Sequence, residues 1–238
     1  MTASSEASQA KDRFVRVCER IRTAAQQAGR DPAAVALLAV SKLQPAAKVS
    51  ELYAVGQRAF GENYVQEGVA KVAALAHLPL EWHFIGPIQS NKTRPIAERF
   101  DWVHSVERER IAERLSAQRP AGLAPLQVCI QVNVSGESSK SGVPPQDAPE
   151  LARVIRALAG LELRGLMAIP EPTDDPSLQR RRFASLRALQ DSLSTPGHPL
   201  DTLSMGMSDD LESAVAEGAT LVRIGRAIFG ERIRPAQT

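Results

Sequence analysis

The feature that most constrains this chain is a rhythm. Eight short apolar runs, at residues 36–41, 58–61, 82–86, 102–106, 127–134, 163–169, 202–205 and 221–225, alternate with longer stretches of helical periodicity. The amphipathic segments fall at residues 46–55, 65–75, 108–115, 151–158, 178–193 and 209–217, and another at 12–29 precedes the first run, with Phe14, Val17, Ile21 and Ala25 on one stripe. Apolar runs that recur with helical crossovers between them predict parallel strands, because a parallel pair cannot be joined by a tight turn. From Ser41 to Gly225 the repeat is about 26 residues, the size of a compact strand-helix unit. An open doubly wound sheet carries a glycine-rich turn after its first strand. Here the first run is followed by Ser41-Lys42-Leu43-Gln44-Pro45. The sequence therefore predicts a single (β/α)8 barrel of TIM type with an extra N-terminal helix, one domain over residues 1–238 with flexible tails at 1–11 and 233–238. Pro/Gly-rich interruptions at 120–125, 135–149, 170–176 and 195–199 read as loops between strand and helix, not as domain boundaries.

Composition removes several classes of function. The 29 basic and 27 acidic residues alternate along the helical segments, so the formal charge of +2 forms no cationic stripe and nucleic acid is not an expected partner. No run reaches the roughly 20 apolar residues of a membrane span, and residues 1–10 contain no apolar signal core, so a cytoplasmic protein is expected. Cys18 and Cys129 lie in unlike contexts without metal-ligand spacing and read as inert thiols. His77, His83, His104 and His198 show no metal-ligand spacing either; His83 and His104 lie within strands, where a hydrogen-bonded core histidine is the ordinary outcome. A monomer or weak homodimer is expected.

Barrels of this type gather their chemistry at the carboxyl ends of the strands. The first run ends in Ser41-Lys42, one of six lysines in a chain with 23 arginines. A desolvated lysine becomes a nucleophile toward aldehydes and an arginine does not. The plain alternative is a lysine snorkelling from the strand end to solvent. Other signals lie after the last two strands. Met205-Gly206-Met207-Ser208-Asp209-Asp210 offers a tight turn with Ser208 as a helix N-cap, and Gly225-Arg226 opens a short apolar segment. Loops in these places often hold phosphate, since free backbone N–H groups converge there. Barrel closure sets the eighth strand beside the first, so lysine and phosphate loops become neighbours. A flat ligand with both an aldehyde and a phosphate would bridge them, and pyridoxal 5'-phosphate is such a ligand. Arg223, two residues before Gly225, shares its face and is available to the pyridine nitrogen; it could equally form a buried ion pair with an acid such as Glu62.

At these residues the chain resembles the pyridoxal phosphate homeostasis proteins, or PLP-binding proteins. The resemblance spans nearly the whole chain and rests on 38–42 (Leu-Ala-Val-Ser-Lys), 60–64 (Phe-Gly-Glu-Asn-Tyr), 82–92 (Trp-His-Phe-Ile-Gly-Pro-Ile-Gln-Ser-Asn-Lys), 165–169 (Gly-Leu-Met-Ala-Ile), 204–210 (Ser-Met-Gly-Met-Ser-Asp-Asp) and 222–225 (Val-Arg-Ile-Gly). It implies the alanine racemase N-terminal domain fold, that of the fold type III PLP proteins, and a Schiff base on Lys42. It further implies phosphate contacts near Met207, Ser208, Gly225 and Arg226, Arg223 at the ring nitrogen, and Asn63 as a lesser contact. Arg226 departs from the threonine or serine of many relatives. Either its guanidinium helps neutralise the phosphate or its backbone N–H alone contributes. The resemblance also sets the 136–142 loop, with Lys140, near the barrel mouth as a lid or a secondary contact.

Two functions compete on these residues: a carrier of vitamin B6 homeostasis that hands the cofactor to PLP-dependent apoenzymes without substantial catalysis, and a racemase-like enzyme acting on amino acids. A racemase needs an acid or base on each face of the substrate carbon, one of them supplied by a second domain. The barrel and its opening helix occupy residues 12 to about 232, so the carrier is the expected function. A Schiff-base aldolase or phosphosugar enzyme is a third possibility.

Overall fold

The computed structural model describes residues 3–136 and 141–230, and in it the predicted rhythm closes on itself. Eight strands, β1 (Ala36–Val40), β2 (Ala59–Glu62), β3 (Glu81–Phe84), β4 (Trp102–Val106), β5 (Leu126–Gln131), β6 (Leu161–Met167), β7 (Thr202–Ser204) and β8 (Leu221–Ile224), form a closed barrel in chain order. Each pairs in parallel with the next, and β8 pairs with β1 through Leu38 opposite Arg223 and Ala39 opposite Ile224. The helices are α1 (Ala3–Gln27), α2 (Ala46–Ala54), α3 (Val65–Ala74), α4 (Thr93–Arg99), α5 (Glu109–Gln118), α6 (Ala148–Arg156), α7 (Pro176–Leu193), α8 (Leu211–Ala216) and α9 (Arg226–Phe229). None of the described helices is long and apolar enough to cross a membrane.

Strand alternation divides the interior into two compartments. Ala39, Phe60, Phe84, Leu203, Val222 and Ile224 belong to the large core between strands and helices. Leu38, Val40, Ile85 and Leu221 form a separate cluster within the barrel. Gly61 belongs to the inner set, and a Cβ there would come within 3.1 Å of Leu38. Lys42 has the parity of Leu38 and Val40, Gly225 that of Leu221 and Arg223, so both continue the inward-facing rows at the barrel's carboxyl end.

Two elements differ from the sequence expectation. The first helix begins at Ala3 rather than at residue 12, since residues 3–11 carry three alanines with Glu6, Gln9 and Lys11 and no glycine or proline to stop the element. Helix α4 was not expected: Pro95 looks like a breaker, but it occupies the first turn, where its missing N–H costs no intrahelical bond. Of the predicted tails, residues 233–238 lie outside the described residues, as does Lys140.

Candidate functional site

The carboxyl ends of β1 and β8 enclose a small cavity of about 30 Å³, lined by Val40, Lys42, Gln44, Gly225, Arg226 and Phe229 among others. Register places these residues together, because β1 and β8 are paired neighbours. Gly225 suits its position, since a Cβ would crowd the Val40 carbonyl oxygen at 3.2 Å. Its neighbour Arg226 is exposed, and its side chain makes no hydrogen bond or ion pair among the described residues. Beside this lies an open cavity of about 340 Å³, lined by Asn63, Ile85, Pro87, Gln131, Ser141, Ile169, Pro170, Pro172 and Met207. Asn63 Oδ1 is buried without a hydrogen-bond partner.

Lys42 owes its position to a charged cluster behind the strands. Ser41 and Glu62 have outward parity, toward α3, and there Lys71 Nζ donates to Ser41 O at 2.7 Å, Glu62 Oε1 at 2.7 Å and Glu67 Oε1 at 2.6 Å. Ser41 Oγ donates to the same Glu62 oxygen at 2.6 Å, and Leu43 N donates to Glu67 Oε1 at 2.6 Å. The backbone on both sides of Lys42 is thereby fixed, and Leu43 is held at φ +61°. Burial pushes the Glu62 carboxyl up, opposed by the charge of Lys71. Gly68 leaves room for this cluster, for a Cβ there would lie 3.2 Å from Glu62 Cβ and 2.7 Å from Phe100. Sequence reasoning missed Lys71 and Glu67. Their i,i+4 spacing on an otherwise apolar helical face, with Lys71 among only six lysines, was the available signal.

Arg223 is buried inside the barrel, where Nη1 donates to Ser204 O at 2.5 Å and to Ser204 Oγ at 2.8 Å, and Nη2 donates to Ala168 O at 2.8 Å. Burial pulls its guanidinium down to about 10, opposed by the charge of Asp210, and it stays a cation at neutral pH. The alternative pairing with Glu62 does not occur: strand parity puts the two on opposite sides of the sheet, and Glu62 pairs with Lys71. Nearby, Cys129 is fully buried and its thiol is pushed up to about 12, which leaves it unreactive.

The turn after β7 corrects one expectation. Ser208 does not cap a helix; α8 starts at Leu211 and its N-cap is Asp210. The Asp210 carboxylate turns back to accept from Met207 N at 2.6 Å, and burial raises its own pKa. That bond closes the turn around Gly206, whose φ of +94° a side chain would rarely tolerate. Ser208, in mid-turn, makes no side-chain hydrogen bond among the described residues. The expectation of hydrogen-bonded core histidines holds: His83 Nδ1 and His104 Nε2 are 2.9 Å apart.

Residues 16–233 match the sequence pattern of the family described as alanine racemase, N-terminal domain. A pyridoxal phosphate homeostasis protein of Pseudomonas aeruginosa is 65% identical over 221 residues, covering 93% of this chain and 95% of that protein. PipY of Synechococcus elongatus, solved with PLP bound, is 39% identical with a TM-score of 0.81, covering 93% of this chain and all of that one. Alanine racemase of Corynebacterium glutamicum, at 18% identity and a TM-score of 0.68, shares the fold over 90% of this chain and 61% of its own.

Proposed function

Because the chain belongs to the pyridoxal phosphate homeostasis protein family, built on the alanine racemase N-terminal domain, we propose that it binds pyridoxal 5'-phosphate as a Schiff base on Lys42 and serves intracellular vitamin B6 homeostasis as a carrier. The observation that carries this reading is one cavity flanked by an amine, Lys42, and by the Gly225-Arg226 backbone. The residues suit the group. Gly225 leaves the main chain bare where a phosphate would approach, and the exposed Arg226 guanidinium can neutralise it directly, replacing the hydroxyl that many relatives offer. Met207 and Ser208 would take the opposite side of the phosphate, the latter with an uncommitted hydroxyl. Asn63, whose Oδ1 has no partner among the described residues, would accept a hydrogen bond from the ligand or its water. Arg223 would donate to the pyridine nitrogen.

Bound there, the cofactor would supply a carbonyl carbon reactive toward amines and conjugated to an electron-withdrawing ring. Lys42 provides the amine that holds it and releases it on exchange. Arg223, a buried cation that donates hydrogen bonds and cannot accept one, would leave the ring nitrogen unprotonated and the ring a weaker electron sink. The described walls of the two cavities hold no carboxylate, histidine or tyrosine that could act as a second acid-base group opposite Lys42. Racemisation requires one on each face. The open mouth, with Ile169 exposed in its wall, suits exchange with an incoming amine or transfer to a PLP-dependent apoenzyme.

Borohydride reduction of the loaded protein followed by peptide mapping tests the assignment. The reduced adduct should map to Lys42 at one equivalent per chain; an adduct centred on any other lysine would sink it. Sustained racemisation or keto-acid formation from a panel of L-amino acids would replace the carrier with the enzyme.

A further inference from the structure

A hydrogen-bonded chain runs down the inside of the barrel from Arg223 to the opposite end. Arg223 Nη1 lies 2.8 Å from Ser204 Oγ, Ser204 Oγ 2.7 Å from His104 Nδ1, His104 Nε2 2.9 Å from His83 Nδ1, and His83 Nε2 2.7 Å from Glu81 Oε1. Ser204, His104 and His83 are buried, whereas the Glu81 side chain is 50% exposed at the amino end of β3. There it borders a separate cavity of about 410 Å³, together with Asp101, Trp102 and Gln127.

The chemistry of the two ends dictates every proton between them. An ionised carboxylate only accepts, so His83 Nε2 carries hydrogen. A neutral His83 then offers Nδ1 as an acceptor, which requires hydrogen on His104 Nε2. A neutral His104 in turn accepts at Nδ1, so the Ser204 hydroxyl donates to it and presents its lone pairs to Arg223. Arginine only donates, which agrees with this order from the other side. Were His83 doubly protonated, His104 would donate to Ser204. The hydroxyl would then face two donors, and its own hydrogen would have no acceptor among the hydrogen bonds described. Burial holds His104 well below the usual histidine range, and the charge of Arg223 acts the same way. The bond from His83 holds Glu81 below the usual carboxylate range, so it is ionised. Trp102 stacks on His83 with ring centroids 5.4 Å apart and fixes its plane.

We propose that Glu81, His83, His104 and Ser204 are positioning residues for the cofactor site, and that the exposed carboxylate of Glu81 sets the direction of the chain and thereby orients Arg223. The inference rests on the reading that places Arg223 at the ring nitrogen. A carboxylate is required because it is the one group that accepts without being able to donate. An amide of the same shape can do either, so Glu81→Gln keeps the contact and loses the direction.

The test has two arms. In protein free of cofactor, ¹⁵N NMR of the histidine rings should show a single Nε2–H tautomer for His104 in the wild type and a second tautomer in Glu81→Gln. In protein loaded with pyridoxal 5'-phosphate, Glu81→Gln should shift the visible band and quicken cofactor release by roughly 2- to 10-fold, the span that one hydrogen bond's net worth implies. Glu162→Gln, an equal change of charge at an exposed position of β6 outside the chain, should match the wild type. One tautomer persisting in Glu81→Gln, or an equal effect of Glu162→Gln, would overturn the proposal. Arg223→Lys separates the two readings: if it changes band and release while Glu81→Gln does not, the chain is not a positioning device. If Arg223→Lys changes neither, the placement of Arg223 at the ring falls and the proposal falls with it, whatever the tautomers show.

Discussion

Two buried polar networks flank the mouth of this barrel, and they solve the same desolvation problem by opposite means. Behind the strands, the Glu62 and Glu67 carboxyl groups meet at the one ammonium group of Lys71. Inside the barrel, His104 and Ser204 are neutral links between a cation and a distant carboxylate. The charged network binds main chain, fixing Ser41 and Leu43 around Lys42; the neutral one binds a guanidinium. The difference follows from the compartments. The layer next to α3 is thin enough for Lys71 to reach both sheet and helix, whereas the barrel interior can be crossed only by relaying bonds. Charges paired at short range are costly to separate, and neutral relays are costly mainly in direction.

Breaking the charged network should therefore have the largest effect. Lys71→Met leaves Glu62 buried without its cation and should cost ~3–5 kcal/mol in urea unfolding. Lys71→Met combined with Glu62→Gln should recover much of that loss. If the double variant is no better than the single one, the cluster is not the coupled unit its geometry implies. The same network should leave a signature in pH. The Glu62 carboxyl is raised in the folded protein, so the stability linked to it is complete below the ordinary glutamate pKa and is lost as pH climbs through the raised one. Glu62→Gln should flatten that decline in the urea midpoint above about pH 4.5. A parallel-shifted profile would assign the decline elsewhere, Asp210 being the next candidate because burial raises it too.

Breaking the neutral network should cost less. Ser204→Ala removes the hydroxyl between His104 and Arg223, yet Arg223 keeps the Ser204 and Ala168 carbonyls. One buried nitrogen, His104 Nδ1, is left unsatisfied, so a loss of about 1–3 kcal/mol is expected by the same assay. A loss as large as that of Lys71→Met would erase the distinction between the networks.

These networks also mark where the sequence stops being readable. The strands of the barrel were legible because β1 is an unbroken apolar run and the carboxyl-terminal halves of β5 and β6 are buried on both faces. Lys42 was legible through parity and closure, both properties of the backbone. The Lys71 cluster was not, because it depends on which way α3 turns against β2, and periodicity alone does not fix that rotation. The chain from Glu81 to Arg223 joins four strands whose alignment depends on barrel shear; one residue of slip would take His104 away from Ser204. Ser208 was misread for a local reason. Asp210 takes the N-cap position without a side-chain cap bond, its carboxylate closing the turn onto Met207 instead.

The smallest effect should come from the residue next to Lys42. Leu43 is the one non-glycine residue with positive φ among those described, and its side chain is 45% exposed. An L-residue other than glycine or asparagine held in this region costs roughly 1–2 kcal/mol, and here Glu67 holds the strain through the Leu43 amide. Leu43→Asn tolerates the conformation and keeps the amide, so it should stabilise the protein by up to about 1 kcal/mol in urea unfolding. If the strain serves only to aim Lys42, cofactor binding should be unchanged, because the backbone path is the same. Weaker transfer to an apoenzyme at unchanged binding would show instead that the exposed leucine itself works at the rim, as an apolar contact for an acceptor. Leu43→Asn destabilising the fold would mean that the charged cluster relaxes this turn rather than straining it, and the contrast between the networks would lose its sharpest local consequence.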